Sequence, residues 1–350
     1  MPTPTAKPKK PTAKKVTVKD RAKIQPIWDL YRDGLTQGSI GTFLACREQF
    51  RLKTVFGYRN KAKAGTTAFG SAFHDILAAT QHAAKGKQPK TLDAAVTDYM
   101  DRMGELSPQA REETTVMLAT IRCLIQQYAK RWEADYARWK WKAREETFNI
   151  RLNLADYSLP KGLGGILPLR GRWDGVFENP ELRLLETKTK GRIDEDGIAA
   201  MLAHDTQTQL YCWAIWKTFG KMPTGVVYDV IRNPQLRQKQ GEPALDFAKR
   251  IEADVCDRPD WYFMRWDVTF SKGDLERWET RFLRPVLRQI VEWWESIKNN
   301  PSDPWSSPLH FCNPGAFWNQ YGRSDVFEAI TSGNYFSLER RSEPYPELVD

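Results

Sequence analysis

Two carboxylates and an amine lie close together in the chain: Asp174, Glu186 and Lys188. They fall in two strand-like runs, Leu169–Phe177 and Leu182–Lys188, separated by Glu178-Asn179-Pro180-Glu181, where Asn-Pro is a turn signal. Folded as an antiparallel hairpin centred on Pro180, the paired residue numbers sum to twice 180, and Asp174 falls opposite Glu186. Opposed residues share a face of a sheet, and Lys188, two residues past Glu186, shares it too. Neighbouring carboxylates repel and favour a cation between them. A hard ion such as Mg²⁺ takes one or two carboxylates and completes its shell with water and phosphate oxygens. Lys188 could orient or activate an attacking water, or neutralise developing negative charge. The chemistry that fits this set is phosphodiester hydrolysis assisted by a metal. A Glu-x-Lys triplet also arises on ordinary solvated sheet faces, so the hairpin alone leaves both readings open.

The elements that must position these groups can be read from periodicity. Ser39 stands near the N-cap of a short helix carrying Ile40, Phe43, Leu44, Phe50 and Leu52. Gly65–Thr67 reads as a loop, and Phe69–Thr80 as a helix with Phe69, Phe73, Ile76 and Leu77 on one side. After the polar linker Lys85–Lys90, helices are expected over Leu92–Met103 and from Ser107 to about Trp139. Alternation starting at Thr147 (Phe148, Ile150, Leu152) marks a strand, and Pro160–Pro168 a loop before the hairpin. Ile198–Phe219 reads as one helix, Gly225–Ile231 and Trp261–Phe270 as strands, and Ser271–Asn299 as a long amphipathic helix. Helices followed by a mixed sheet with helices against it make an α/β (α+β) layer architecture. The expected division is a basic tail over 1–25, a helical region over 26–145, a catalytic core over 146–300 and a loop-rich segment over 301–350.

Composition bounds the rest. Of the net charge of +9, residues 1–25 supply +7 through eight Lys or Arg against one Asp, leaving about +2 for the body. A Pro/Thr/Lys tail buries no apolar surface and is expected to be disordered. It could contact nucleic-acid phosphates without sequence preference. The hydrophobic fraction of 41% supports a real core, and most of the 14 Trp are assigned to it. No apolar run reaches the roughly 18 residues of a membrane span, and the polar, basic start is unlike a secretory signal, so an intracellular, cytoplasmic protein is expected. The five Cys are scattered without a C-x-x-C pair, which argues against zinc and for free thiols.

Several segments together resemble the PD-(D/E)XK nucleases, and within them the RecB-type exonuclease branch of bacterial recombination, CRISPR-adaptation and phage exonucleases. The segments are Gly171-Arg172-Trp173-Asp174, Leu184-Leu185-Glu186-Thr187-Lys188 and Gln207-Thr208-Gln209-Leu210-Tyr211, preceded by Gly70-Ser71-Ala72-Phe73-His74 and by Ser39 to Cys46. The resemblance implies a restriction-endonuclease-like core beside a helical sub-domain. It implies Lys188, Asp174 and Glu186 as catalytic groups, and His74, Asp174, Glu186 and the Thr187 carbonyl as ligands of Mg²⁺ or Mn²⁺. Gln207, Tyr211 and Arg172 would shape the site and hold DNA. A recombination or annealing protein partner is a further expectation, and no membrane is. Some members of the branch hold an iron–sulfur cluster on four Cys. Here Cys46 and Cys312 match, but Phe317, Ser324 and Asp325 stand where further Cys would be needed, so no cluster is expected. Phe311, Phe317, Trp318, Tyr321 and Phe327 would instead hold the C-terminal segment by packing. The resulting expectation is a metal-dependent DNA exonuclease acting on linear ends. An endonuclease or junction-cutting enzyme on the same core, or a DNA-binding protein with an inactive site, are the alternatives.

Overall fold

A computed structural model describes residues 25–61, 69–81, 83, 86–157, 165–319 and 322–348. The sequence-predicted tail up to residue 24, the Gly65–Thr67 loop and most of the loop before the hairpin lie outside these, as does Tyr321. Helix α1 (Gln37–Ala45) begins with a reciprocal cap. The Ser39 N–H donates to Thr36 Oγ1 and the Thr36 N–H to Ser39 Oγ. Thr36 is thus the N-cap, and Ser39, near it as the sequence predicts, is the third helical residue and the other half of the capping box. Short α2 (Arg47–Phe50) runs on into a π-turn, followed by β1 (Tyr58–Asn60), α3 (Phe69–Thr80), α4 (Leu92–Arg102) and α5 (Pro108–Arg138).

The central sheet has five strands in the order β2-β3-β4-β5-β6: β2 (Lys140–Asn153), β3 (Ile166–Glu178), β4 (Leu182–Lys190), β5 (Gly225–Arg232) and β6 (Phe263–Thr269). All neighbours are antiparallel except β4 and β5, which are parallel. A parallel pair needs a long crossover. It is supplied by α6 (Glu195–Met201) and α7 (Thr206–Phe219). The single helix expected over Ile198–Phe219 is therefore broken. Asp205 is extended and caps α7, accepting from the Thr208 N–H at 2.8 Å. Strand β2 starts at Lys140, seven residues before the alternation that marks it in the sequence. The sequence reading also passes over α8 (Ala244–Asp257), whose Phe247, Ile251 and Val255 form a buried stripe. A short helix, α9 (Pro259–Tyr262), takes the first residues assigned to the last strand.

Every residue of β5 is buried, as befits a strand covered on both faces. One face meets α7, α1, α10 (Lys272–Trp278) and α11 (Arg284–Lys298), with Trp28, Trp173, Trp213 and Trp293 in the core. The other meets α3, α4, α5 and α8 through Ile231 and Phe263. Between α10 and α11 the expected continuous helix takes a π-turn at Glu279–Leu283, just ahead of Pro285, which has no N–H to give to the ladder. Strands β7 (Trp318–Asn319) and β8 (Gly322–Arg323), α12 (Phe327–Ser332) and β9 (Leu338–Arg340) follow, and β9 pairs with β1. Of the aromatics expected to pack this end, Phe317 is buried and Phe327 stacks edge-on with it. Phe311 and Trp318 are half-exposed or more, though Trp318 still meets the Phe327 ring edge-on. The small core here is made by Leu52, Phe56, Val326, Ala329 and Leu338.

Candidate active site

The hairpin register is the one the turn dictates. Gly175, Val176, Phe177 and Glu178 pair with Leu185, Leu184, Arg183 and Leu182. The ladder stops there, so Asp174 does not stand in a ladder pair with Glu186, as the simple register would have it. The reason is a change of face in the neighbouring strand pair. Trp173 and Val176, three apart, both enter the same core, which a regular strand forbids. On β2, Glu145 lies abreast of Asp174 with a φ of +45°. Beyond the end of the β3–β4 ladder, the Thr187 N–H is satisfied by the Asp174 carboxylate at 2.7 Å. Asp174 thus serves the backbone of β4 with one oxygen while facing the same cleft as Glu186 and Lys188.

That cleft, about 600 Å³, is lined by Asp174, Glu186, Lys188, His74, Arg172, Gln207 and Tyr211. All of the sequence-predicted side chains line it, and Thr187, expected to contribute only its carbonyl, is fully buried. Glu186 is 1% exposed. Its Oε1 accepts from Gln207 Nε2 at 2.7 Å and lies 2.5 Å from Lys188 Nζ. Its Oε2 is buried, with no hydrogen-bond partner among the described residues. Burial, reinforced by the charge on Asp174, raises the Glu186 carboxyl above its ordinary range against the pull of Lys188. Burial would lower the Lys188 ammonium, but Glu186 and Asp174 outweigh it and hold the proton firmly. His74, midway along α3, places Nδ1 4.0 Å from Asp174 Oδ2. Tyr211 comes close to the sheet because Gly171 has no side chain: a Cβ there would lie 3.2 Å from Tyr211 Cε1 and 2.5 Å from Phe148 Cζ.

The donor set suits a hard divalent ion. A buried carboxylate oxygen without a partner among the described residues, a second carboxylate and an imidazole share one cleft. Among the described residues no three acidic, His or Cys side chains are drawn into a closed cage. An ion here would complete its shell with water and phosphate oxygens. Iron–sulfur chemistry does not fit the other end of the chain. Cys46 and Cys312 stand 4.0 Å apart, but Phe317 is buried in packing and Ser324 donates to Gln49 Oε1 at 2.7 Å.

The sequence profile of the PD-(D/E)XK nuclease superfamily matches residues 35–313. The chain belongs to the PD-(D/E)XK nuclease superfamily. No curated protein matches it. The five-stranded mixed sheet flanked by helices is the restriction-endonuclease-like fold of that superfamily, whose nucleases cut DNA and generally use divalent metals, typically Mg²⁺ or Mn²⁺. No helix among the described residues is long and apolar enough to cross a membrane. Sequence reasoning missed several groups that this superfamily member brings to the cleft. Thr36 and Gly38 arrive from the start of α1, Asp75 from α3, and Glu347 and Leu348 from the far end of the chain. Glu145, beside Arg172 at 3.4 Å, was missed as well. Burial pushes its carboxyl up to about 7, with Arg172 opposing. No sequence signal singles it out, since Glu145 falls in the charged stretch between the helix expected to end near Trp139 and the alternation from Thr147.

Proposed function

We propose that this superfamily member is a divalent-metal-dependent DNA exonuclease of the RecB type, acting at linear ends. The observation that carries the nuclease chemistry is the state of Glu186. One oxygen is held by Lys188 and Gln207, and the other is buried and left for a ligand. The order of Gly70…His74, Asp174, Glu186-Thr187-Lys188 and Gln207…Tyr211 supports the exonuclease branch over other members. Asp174 and Glu186, with His74 and the Thr187 carbonyl, would hold Mg²⁺ or Mn²⁺. When bound, the ion supplies a Lewis acid that lowers the pKa of water and offsets charge on the phosphate. Lys188, held as an ammonium, is suited to stabilising negative charge on the phosphoryl oxygens and unsuited to taking a proton. Gln207 fixes the Glu186 carboxylate, and Arg172 meets the DNA backbone.

The test is cleavage of end-labelled linear DNA and closed circular DNA with Mg²⁺, Mn²⁺ or chelator. Loss of linear DNA alone, in metal, is expected. Nicked circles would make the protein an endonuclease, and binding without cleavage in any metal would make it a DNA-binding protein.

A further inference from the structure

Among the described residues, Glu145 is the one residue other than glycine with a positive φ. Left-handed backbone is strained for a residue with a long side chain and usually falls to Gly, Asn or Asp. Glu145 lies inside β2, between the pairs Arg144–Gly175 and Glu146–Trp173, abreast of Asp174. Its side chain is 9% exposed, and Oε2 stands 3.4 Å from Arg172 Nε. A left-handed residue within a strand does not by itself need a buried acid, since Gly or Asn would adopt that backbone with less strain. The partner explains the choice. Arg172 is common to three adjoining cavities of about 600, 460 and 410 Å³: the active-site cleft and two that continue past Lys90.

Resting on the nuclease reading above, we propose that Glu145 is a positioning residue that holds the Arg172 guanidinium at the junction of these cavities, where it receives a backbone phosphate of the DNA strand leaving the active site. A carboxylate at Nε leaves the terminal amino groups of the fork for phosphate oxygens. A side chain fixed before binding loses less freedom on binding. Coulomb attraction alone predicts the opposite dependence. Removing an acid beside a polyanion would tighten binding if Glu145 had no orienting part.

The experiment measures fluorescence anisotropy of a labelled duplex with single-stranded overhangs, in chelator, together with thermal unfolding of each variant. Glu145→Asn relieves the strain, so Tm should rise by about 2 °C. Affinity should nevertheless fall roughly five- to tenfold, the scale of one charge-assisted hydrogen bond partly lost. Glu145→Gln, which keeps shape and strain, should weaken binding without raising Tm. Arg172→Gln should weaken it as much, and the Glu145→Asn/Arg172→Gln double variant no further. Unchanged or tighter binding in the Glu145 variants, additive losses, or binding that falls only in step with Tm overturns the proposal. A wild-type protein that neither binds nor cleaves DNA overturns the nuclease reading along with it. A wild type that cleaves, with Glu145→Asn binding equally well, overturns this proposal alone.

Discussion

Asp174 has two tasks, and substitutions can separate them. Its carboxylate accepts the Thr187 N–H at 2.7 Å, and it shares the cleft with Glu186. Asp174→Asn keeps an oxygen for that N–H and removes only the charge. Asp174→Ala leaves the N–H unsatisfied, at a cost of about 1–3 kcal/mol. Both variants should lose cleavage, but only the alanine variant should melt clearly lower. Equal melting temperatures would remove the backbone role. Lys188→Gln should lower kcat by roughly 10²–10³-fold, the effect of deleting one group aimed at developing charge, with DNA affinity in chelator nearly unchanged. Cleavage at the normal rate would dismiss Lys188 from the chemistry. These residues were legible because residue type and strand period both point to them. What the period could not show is that the ladder ends at Gly175–Leu185. That depends on Glu145 adopting a left-handed backbone, which a glutamate in a charged strand does not signal.

At the scale of elements, local chemistry was readable wherever a side chain decides a boundary. Helix α3 has the limits its apolar spacing predicts, and α5 starts after Ser107, whose hydroxyl accepts from the Ala110 N–H. Strand β2 was read short because Lys140–Glu146 is mostly charged. It is held instead by Trp141 and Ala143 and by pairing to β3, a partner the local sequence does not name. The stripe of α8 was present but lay in a charged segment, which hid it. The break at Asp205 has a consequence for the site. Its carboxylate caps α7 through the Thr208 N–H and hydroxyl, at 2.8 and 2.9 Å, in the same first turn as the Gln207 that holds Glu186. Asp205→Ala should destabilise the protein by about 1 kcal/mol. It should also lower kcat more than KM changes, because the first turn of α7 frays where Gln207 is mounted. A kcat equal to that of the wild type, in a variant shown to be destabilised, would mean that Gln207 is placed without help from the cap.

For the whole molecule, two of the polar ties among the described residues join parts far apart in sequence without showing in any local pattern. Glu48 of α2 accepts from Arg51 and lies 2.8 Å from His310 Nε2 near the other end of the chain. Burial opposes its charge, but these partners prevail and hold the carboxyl down at about 2. A folded pKa below the unfolded value of roughly 4.3 stabilises the protein above that pH, and the gain is lost as pH falls toward 2. Glu48→Gln should therefore cost roughly 2–3 kcal/mol near pH 7, and the gap from the wild type should close between about pH 4.5 and 2. A gap that stays constant in unfolding experiments across that range would show that packing, not charge, is lost. The second tie lies directly behind the cleft. Asp229 of β5 is fully buried and is the register partner of Thr187. It binds Arg265 of β6 through two bonds of 2.6 and 2.7 Å and accepts from Tyr128 of α5 at 2.7 Å. Arg265 also reaches Asp135 at 2.7 Å and lies over the Trp132 ring at 3.5 Å, so one guanidinium fastens α5 to the sheet. Helix α5 packs on α3, which carries His74. Removing only the cation would leave Asp229 charged, buried and unpaired, so Arg265→Met should cost about 3–5 kcal/mol in urea unfolding. Adding Asp229→Leu removes the stranded charge, so the double variant should recover much of that loss, since a well-packed apolar pair can equal a buried ion pair. If the two losses simply add, the ion pair is not what joins the helical side of the molecule to the strands that carry Asp174, Glu186 and Lys188.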